Sequence, residues 1–308
     1  MRVLMLTPAF HPLAGGVERH VRRVSEELSA LGHEVSVVTR AVPGAPEREY
    51  LGAIGIVRVA GGLRALPGLW RRHRGLFREA DVIHCHDAYP FLSWYEPLRR
   101  VLRLPDAYVT FHGYEAYPPP REAILRRRYV RRLCAGAIGA GGFIPKWYGT
   151  PCEAITYGGA DAPAALPQGE PQPRAVFAGR LERDTGILDT LRLLSALRAA
   201  HGIELPLDVC GDGSLAGEVE QFARAEGLDV RLHGRVPDPS PFLIGARFAL
   251  VGGYLAMWEA LACGALVVAL YDNPLKRDYL ECFPPAAAGG PVSVFGSPEE
   301  GAARLAWL

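Results

Sequence analysis

The sequence predicts an α/β protein built from two doubly wound domains. Three observations point there. The chain has 308 residues, more than one hydrophobic core ordinarily serves. Buried-type strands and amphipathic helices alternate along it in two series, the pattern of parallel sheets covered on both faces. A proline- and alanine-rich stretch, "DAPAALPQGEPQPR", separates the series at residues 161–174. The expected division is a first domain over 1–160, a linker over 161–174 and a second domain over 175–308.

"RVLMLTP" reads as a buried strand stopped by Pro8. Residues 17–33 follow with helical spacing: Val17, Val21, Val24, Leu28 and Leu31 share a face, and Gly32 ends the helix. "EVSVVT" is the next strand. Gly15 and Gly16 open the helix of this βαβ unit and permit close backbone approach to an anion or a sugar. They are not a dinucleotide fingerprint, because no G-x-G-x-x-G follows the strand. "DVIHCHD" and "AYVTFHG" are two more strands with histidine at their carboxyl ends. His84 and His86 alternate along one strand and face the same way. No further ligand is spaced suggestively around them, so a structural histidine pair is expected and no metal. His112, beside Gly113, falls just past a strand, where ligands sit in such sheets. No Ser-His-Asp or G-x-S-x-G pattern is visible.

After the linker the pattern restarts. "AVFAGR" is a strand, 186–202 a helix, "LPLDVCGDG" a strand with a glycine turn, 215–227 a helix and "VRLHGRV" a strand. Arg180 ends the first of these in a glycine turn before a helix. It is either a bidentate holder of a diphosphate or a surface arginine at a strand end. "VGGYLAMWEALACGALVVAL" adds a helix and a strand buried on both faces. Leu255, Trp258 and Leu261 fall on one side of that helix, with Glu259 beside them. A glutamate among apolar neighbours needs a partner, either a ligand or a local pair. Gly252 and Gly253 precede the helix, so its first amides can approach an anion closely. In the last helix Ser297 is the expected N-cap, with Glu300 at the capping-box position.

Composition excludes several classes. Hydrophobic residues make up 49% and charged residues 22%, which is globular rather than disordered. The net charge of +1 provides no field for nucleic acid, and no nucleic-acid partner is expected. Only Lys146 and Lys276 are lysines; the other basic residues are arginines. Cys85, Cys134, Cys152, Cys210, Cys263 and Cys282 form no C-x-x-C pair and read as free thiols in a reducing compartment. The amino-terminus is broken too soon by Pro8 for a signal peptide, and no apolar run spans a bilayer. A cytoplasmic protein is expected, with peripheral membrane contact left open. Residues 63–77 mix Leu63, Leu66, Leu69, Trp70, Leu76 and Phe77 with Arg64, Arg71, Arg72 and Arg74, suiting an anionic membrane or acceptor. Residues 121–133, with six arginines, read as a solvated helix face.

Five pieces in order, "GGVERHVRRVSEELSALGHEVSVVT", "DVIHCHD", "TFHG", "FAGRLERDTG" and "WEALACGALVVA", resemble one family over nearly the whole chain. It is the retaining family-4 glycosyltransferases of GT-B fold. The resemblance implies two Rossmann-like domains facing across a cleft, the second holding a nucleotide-diphosphate sugar and the first most of the acceptor. It implies that Gly15 and Gly16 line the cleft near the diphosphate and the transferred sugar. His112 would contact that sugar and orient its anomeric centre, and Arg180 would bind the diphosphate. The helix start at Gly252, Gly253, Tyr254 and Leu255 would aim amides at phosphate, and Glu259 would accept hydrogen bonds from the ribose hydroxyls. Two positions depart from the family pattern: its usual glutamate is Val251 here, and its usual lysine is Thr185. Arg183 has the reach to stand in for that lysine. The family's closing helix, which crosses back to the first domain, is expected to be reduced or missing.

The implied activity is retaining transfer of a hexose from a UDP- or GDP-type sugar to an acceptor hydroxyl on a glycan or a lipid-linked sugar. Leaving-group oxygen would serve as base, with no metal or other cofactor. Two rivals stand beside it. One is a catalytically weak or inactive nucleotide-sugar-binding subunit, which Val251 and Thr185 favour. The other is a sugar-nucleotide epimerase, which would need acid and base side chains facing the sugar ring.

Overall fold

The computed structural model describes residues 1–13, 15–163, 166 and 169–308; Ala164, Ala165, Pro167 and Gln168 of the expected linker lie outside them. Two compact units emerge, Met1–Thr156 and Tyr157–Leu308.

The first unit begins with β1 (Arg2–Leu6), α1 (Gly16–Ala30), β2 (Glu34–Arg40), β3 (Arg48–Leu51) and β4 (Ile54–Val59). Helices α2 (Leu66–Arg72) and α3 (Arg74–Glu79) lead to β5 (Val82–His86). The short α4 (Ala88–Pro90) and α5 (Glu96–Leu102) flank a π-turn, and β6 (Ala107–Phe111), α6 (Arg121–Leu133), β7 (Gly136–Ala140), α7 (Phe143–Tyr148) and β8 (Ala154–Thr156) follow. The strands form one sheet in the order β3-β4-β2-β1-β5-β6-β7-β8, antiparallel only between β3 and β4. Chain order therefore reverses beside β1, with β2 on one side and β5 on the other. Such a reversal opens a crevice at the carboxyl ends of the strands. Val21 of α1 is fully buried against β1, β2 and β4, with Val17, Val24 and Leu28 packed around it. Leu31 departs from the expected stripe. It is the residue closing α1 and is 73% exposed, because the chain turns away at Gly32, whose φ is +85°. In the basic stretch 63–77, Leu69 and Phe77 belong to the core, whereas Leu63 and Trp70 are exposed.

The second unit runs β9 (Gln172–Ala178), α8 (Ile187–His201), β10 (Leu207–Cys210), α9 (Ala216–Ala225), β11 (Val230–Gly234), α10 (Ser240–Leu243) and β12 (Ala246–Leu250). It ends with α11 (Tyr254–Ala262), β13 (Leu266–Leu270), α12 (Pro274–Glu281), β14 (Val292–Phe295) and α13 (Pro298–Trp307). Its sheet is wholly parallel, in the order β11-β10-β9-β12-β13-β14, and reverses between β9 and β12. Strand β9 takes in residues 172–174 of the expected linker, because Gln172 N donates to Gly245 O (2.8 Å) and starts the pairing with β12. Pro173 is tolerated there, close to the strand start. On α11 the buried stripe is Tyr254, Met257 and Ala260, not the expected Leu255, Trp258 and Leu261. Trp258 instead lies half-buried and donates its indole N–H to Tyr157 O (3.0 Å). On α13 the Ser297 side chain accepts from Glu300 N at 3.2 Å, and Glu300 reaches back to Gly296 N at 3.2 Å. Among the described residues the six cysteines form no disulfide, and four of them are buried. Among the described residues no helix is long and apolar enough to cross a membrane.

Candidate functional site

In the first unit the carboxyl ends of β5 and β6 assemble four imidazoles. His84 and His86 lie side by side on β5, with ring centroids 4.5 Å apart. His112 follows β6, and its Nε2 is 3.0 Å from His86 Nδ1. His20, one turn into α1, places its ring 5.0 Å from that of His112. The sequence offered no further ligand near the His84–His86 pair. The fold brings two others beside His86: ring nitrogens of His20, His86 and His112 lie within 4.8 Å of one another, close enough to take a metal ion. Burial holds all four imidazoles below their usual pKa, His84 at about 4, so they are neutral near pH 7. His84 Nε2 lies 2.8 Å from Thr110 Oγ1, while His86 Nε2 is buried without a hydrogen-bond partner.

The His112 backbone is clamped from two directions. Its N–H donates to Asp87 Oδ1 (2.8 Å), and its carbonyl accepts from Arg127 Nη2 (2.9 Å). Asp87 sits at φ 73° and ψ 169°, outside the left-handed helical basin, in a conformation that residues other than glycine rarely adopt. Burial pushes its carboxyl up to about 6, against the opposing pull of Arg127 and the His112 amide. Arg127 also donates to Gly113 O and pairs with Glu115 (3.2 Å), and it lies over the Tyr148 ring at 3.9 Å. Gly15 and Gly16 stand at the start of α1. Gly16 faces open space, and the Glu18 carboxylate folds against Gly15.

In the second unit Arg180 follows β9 and Gly252 follows β12, so the two flank the reversal of strand order. Arg180 pairs with Asp184 at 2.7 Å, and both side chains are more than half exposed. Thr185 Oγ1 donates within its own turn, to Arg180 O (2.8 Å) and Glu182 O (2.7 Å). Arg183 is exposed on the same turn. The β9 and β10 loops touch backbone to backbone: a Cβ at Gly211 or Gly213 would collide with Gly179 O or Leu181 O. Glu182 fastens them by accepting from Ser214 N (3.0 Å) and Oγ (2.6 Å). Gly253 is the N-cap of α11. The first helical amide, Tyr254 N, donates to Tyr279 Oη (3.1 Å), and the Tyr254 ring stacks on Tyr279 at 4.1 Å. Tyr254 thus faces the core. The amides of Leu255 and Ala256 follow it and precede the first intrahelical bond, from Met257 N to Gly253 O. Glu259 is half-buried beside the buried stripe, and Val251 is 3% exposed, packed into the core.

Residues 14–138 match Glycosyltransferase Family 4. A phosphatidylinositol N-acetylglucosaminyltransferase component of Arabidopsis thaliana is 28% identical over 129 residues, 42% of this chain and 25% of that protein. The chain thus spans about a quarter of that relative. A GDP-mannose-dependent alpha-(1-6)-phosphatidylinositol dimannoside mannosyltransferase of Mycobacterium tuberculosis is 27% identical over 320 residues, 90% of this chain and 81% of that protein. In fold the chain is similar to a sucrose-phosphate synthase of Thermosynechococcus elongatus, with TM-score 0.72 at 18% identity over 99% of this chain and 88% of that one. It is also similar to S. aureus TarM, with TM-score 0.73 at 10% identity over 100% of this chain and 92% of that one. The architecture is GT-B.

Three groups escaped the sequence reading. Arg127 looked like one of six interchangeable arginines, yet it lies on the buried stripe of α6 with Val130. An arginine at a core position, three residues before a buried valine, was the available signal. Asp87 is the last residue of "DVIHCHD" and read as a strand end; nothing local announces its bond to His112 N. Lys276 reaches Gly252 O from α12, a contact across 24 residues that no short motif encodes.

Proposed function

We propose that this chain is a retaining glycosyltransferase moving a hexose from a UDP- or GDP-type sugar to a hydroxyl of a lipid-linked or glycan acceptor, without a metal. The observation that carries the reading is the exposed Arg180–Asp184 pair at the β9/β12 reversal, beside the start of α11. An exposed pair of this kind contributes at most about 1 kcal/mol, so a diphosphate can take the place of the carboxylate. The guanidinium would bind it in a fork, and the Leu255 and Ala256 amides supply the positive end of a helix. Glu259 would accept from the ribose hydroxyls, which fits a half-buried carboxylate on the same helix.

As the glycosyl bond breaks, its electron pair passes to the diphosphate oxygen. The acceptor hydroxyl bonds to the anomeric carbon and gives its proton to that same oxygen. Charge growing on the diphosphate is the quantity Arg180 stabilises. In the first unit, His112 would orient the sugar by donation. A buried orphan N–H is costlier than an orphan lone pair. The unpartnered His86 Nε2 therefore carries no proton, His86 Nδ1–H donates to His112 Nε2, and His112 bears its own proton on Nδ1. That tautomer makes His112 a neutral donor and uses the His112 Nε2 lone pair internally, which argues for a histidine relay over a metal site. Gly15 and Gly16 would admit the sugar or phosphate to the backbone.

A lipid-linked acceptor is supported by the names of both relatives, which mention phosphatidylinositol. Exposed Leu63 and Trp70, with Arg64, Arg71 and Arg74, offer an apolar and basic surface for contact with an anionic membrane. The second reading, a binding protein without turnover, is favoured by Val251 being buried and Thr185 being used within its turn. Labelled UDP- and GDP-sugars, incubated with anionic vesicles carrying glycolipid acceptor, distinguish the two. Sugar transfer that survives chelation and is lost in Arg180→Ala supports the enzyme. Tight nucleotide binding without release supports the binding protein, and loss of transfer on chelation points to metal at the histidines.

A further inference from the structure

Lys276 is one of only two lysines in the chain, and it is 7% exposed. It stands in the first turn of α12, whose N-cap Asn273 accepts from Lys276 N at 2.9 Å. That end of a helix is the unfavourable one for a cation. Its Nζ donates to Gly252 O at 2.6 Å and lies 4.9 Å from the centre of the Tyr279 ring. An ammonium carries three N–H donors, and among the described residues no carboxylate forms an ion pair with this one. Asp184 and Asp272 are near enough to favour the charged form, but burial outweighs them and lowers the group to about 8. A buried ammonium without a counter-ion is expensive for the fold to keep.

Its position says what the missing counter-ion is. A Cβ built on Gly252 would lie 3.3 Å from Lys276 Nζ and 3.6 Å from Thr185 O. The ammonium, the β12 turn and the Arg180–Thr185 turn therefore meet at one place. The two turns follow β9 and β12, and the helix carrying the ammonium follows β13, so they surround the reversal where the anionic ligand is proposed to bind. Arg183 is exposed on that turn, whereas Lys276 is held in place by a backbone carbonyl and an aromatic face.

We infer that Lys276 is a second cationic holder of the donor's diphosphate, reaching from α12 to supply the charge that Thr185 lacks. The inference rests on the reading of this site as a nucleotide-diphosphate site. In the transfer written above, Nζ and the Arg180 guanidinium share the charge that accumulates on the departing diphosphate.

Calorimetry of UDP, GDP and the matching monophosphates against wild type, Lys276→Met and Lys276→Met/Thr185→Lys tests it. In Lys276→Met the affinity for whichever diphosphate the wild type binds should fall about ten- to hundredfold. Affinity for the monophosphate should change far less, and the nucleotide-free melting temperature should hold or rise, because an uncompensated charge has left the interior. Thr185→Lys in that background should restore part of the diphosphate affinity. Unchanged diphosphate affinity in a folded Lys276→Met would overturn the assignment of the lysine alone. So would a lower melting temperature with equal losses for mono- and diphosphate, which marks a structural lysine. If wild type binds neither diphosphate, the reading of the site fails and the lysine's role fails with it.

Discussion

The two units carry their chemistry in opposite ways. Around His112, groups are buried, neutral and bonded to one another before any ligand arrives: Asp87 holds its N–H, Arg127 its carbonyl and His86 its Nε2. Around Arg180, the principal cation is exposed, charged and held only by an i,i+4 carboxylate. One region is fixed by partners it cannot exchange, and the other is built from partners it can. The same residue type, arginine, serves both. Arg127 is a structural clamp and Arg180 the proposed ligand holder, and burial separates the two.

Substituting those two arginines breaks the comparison most directly. Arg127→Ala removes a buried cation from Glu115, two carbonyls and the Tyr148 ring, so unfolding should become easier by about 3–5 kcal/mol. Chemical denaturation reads this as a lower midpoint at unchanged slope. Arg180→Ala should leave the midpoint within about 0.5 kcal/mol and lower turnover by about 10²–10³-fold. A destabilised Arg180→Ala, or an Arg127→Ala as stable as wild type, would erase the distinction.

The sequence shows the same asymmetry in what it discloses. The Arg180 turn, the glycines before α11 and Glu259 are contiguous with their own strands and helices, so short stretches reveal them. The histidine cluster draws on α1, β5 and the residue after β6, and its clamps on the β5 end and α6. Those pieces meet only because β1, β5 and β6 are neighbours in the sheet. The βα alternation was legible because period and composition are local. The stripe on α11 was misread because its residues are apolar on nearly every side, leaving periodicity little contrast.

Acidity sharpens the contrast further. The four clustered histidines of the first unit are held below the ordinary imidazole value of 6.5, so below that pH the unfolded chain binds more protons. Stability they contribute above pH 6.5 is therefore lost as pH falls, for His84 down to about 4. Each such group gives a slope of at most about 1.4 kcal/mol per pH unit. Asp87 works the other way. Its folded pKa of about 6 exceeds 3.8, so its contribution is present at low pH and lost as pH rises through 6, and it offsets part of the histidine effect. In the second unit Lys276, at about 8 against 10.5, makes stability rise as pH increases between those values. Hydrogen exchange, corrected for intrinsic rates, should show β5 and β6 losing protection between pH 6.5 and 4, and β12 and β13 gaining it between about pH 8 and 10. Equal responses in both sets of strands would contradict the assignment of these groups.

The smallest effect concerns Asp184. It holds Arg180 at 2.7 Å and is one of the carboxylates that favour charge on Lys276, so it competes with any anion drawn to the same two cations. Because the pair is more than half exposed, removing the carboxylate should leave stability unchanged. Nucleotide-diphosphate affinity at pH 7 should rise about two- to fivefold in Asp184→Asn, the size of an exposed pair, and the gain should shrink with added salt. Titration at two ionic strengths measures both. A fall in affinity would mean that Asp184 aims the guanidinium rather than occupying it. Arg180 would then resemble Arg127, a side chain whose direction is set by protein partners before the ligand comes.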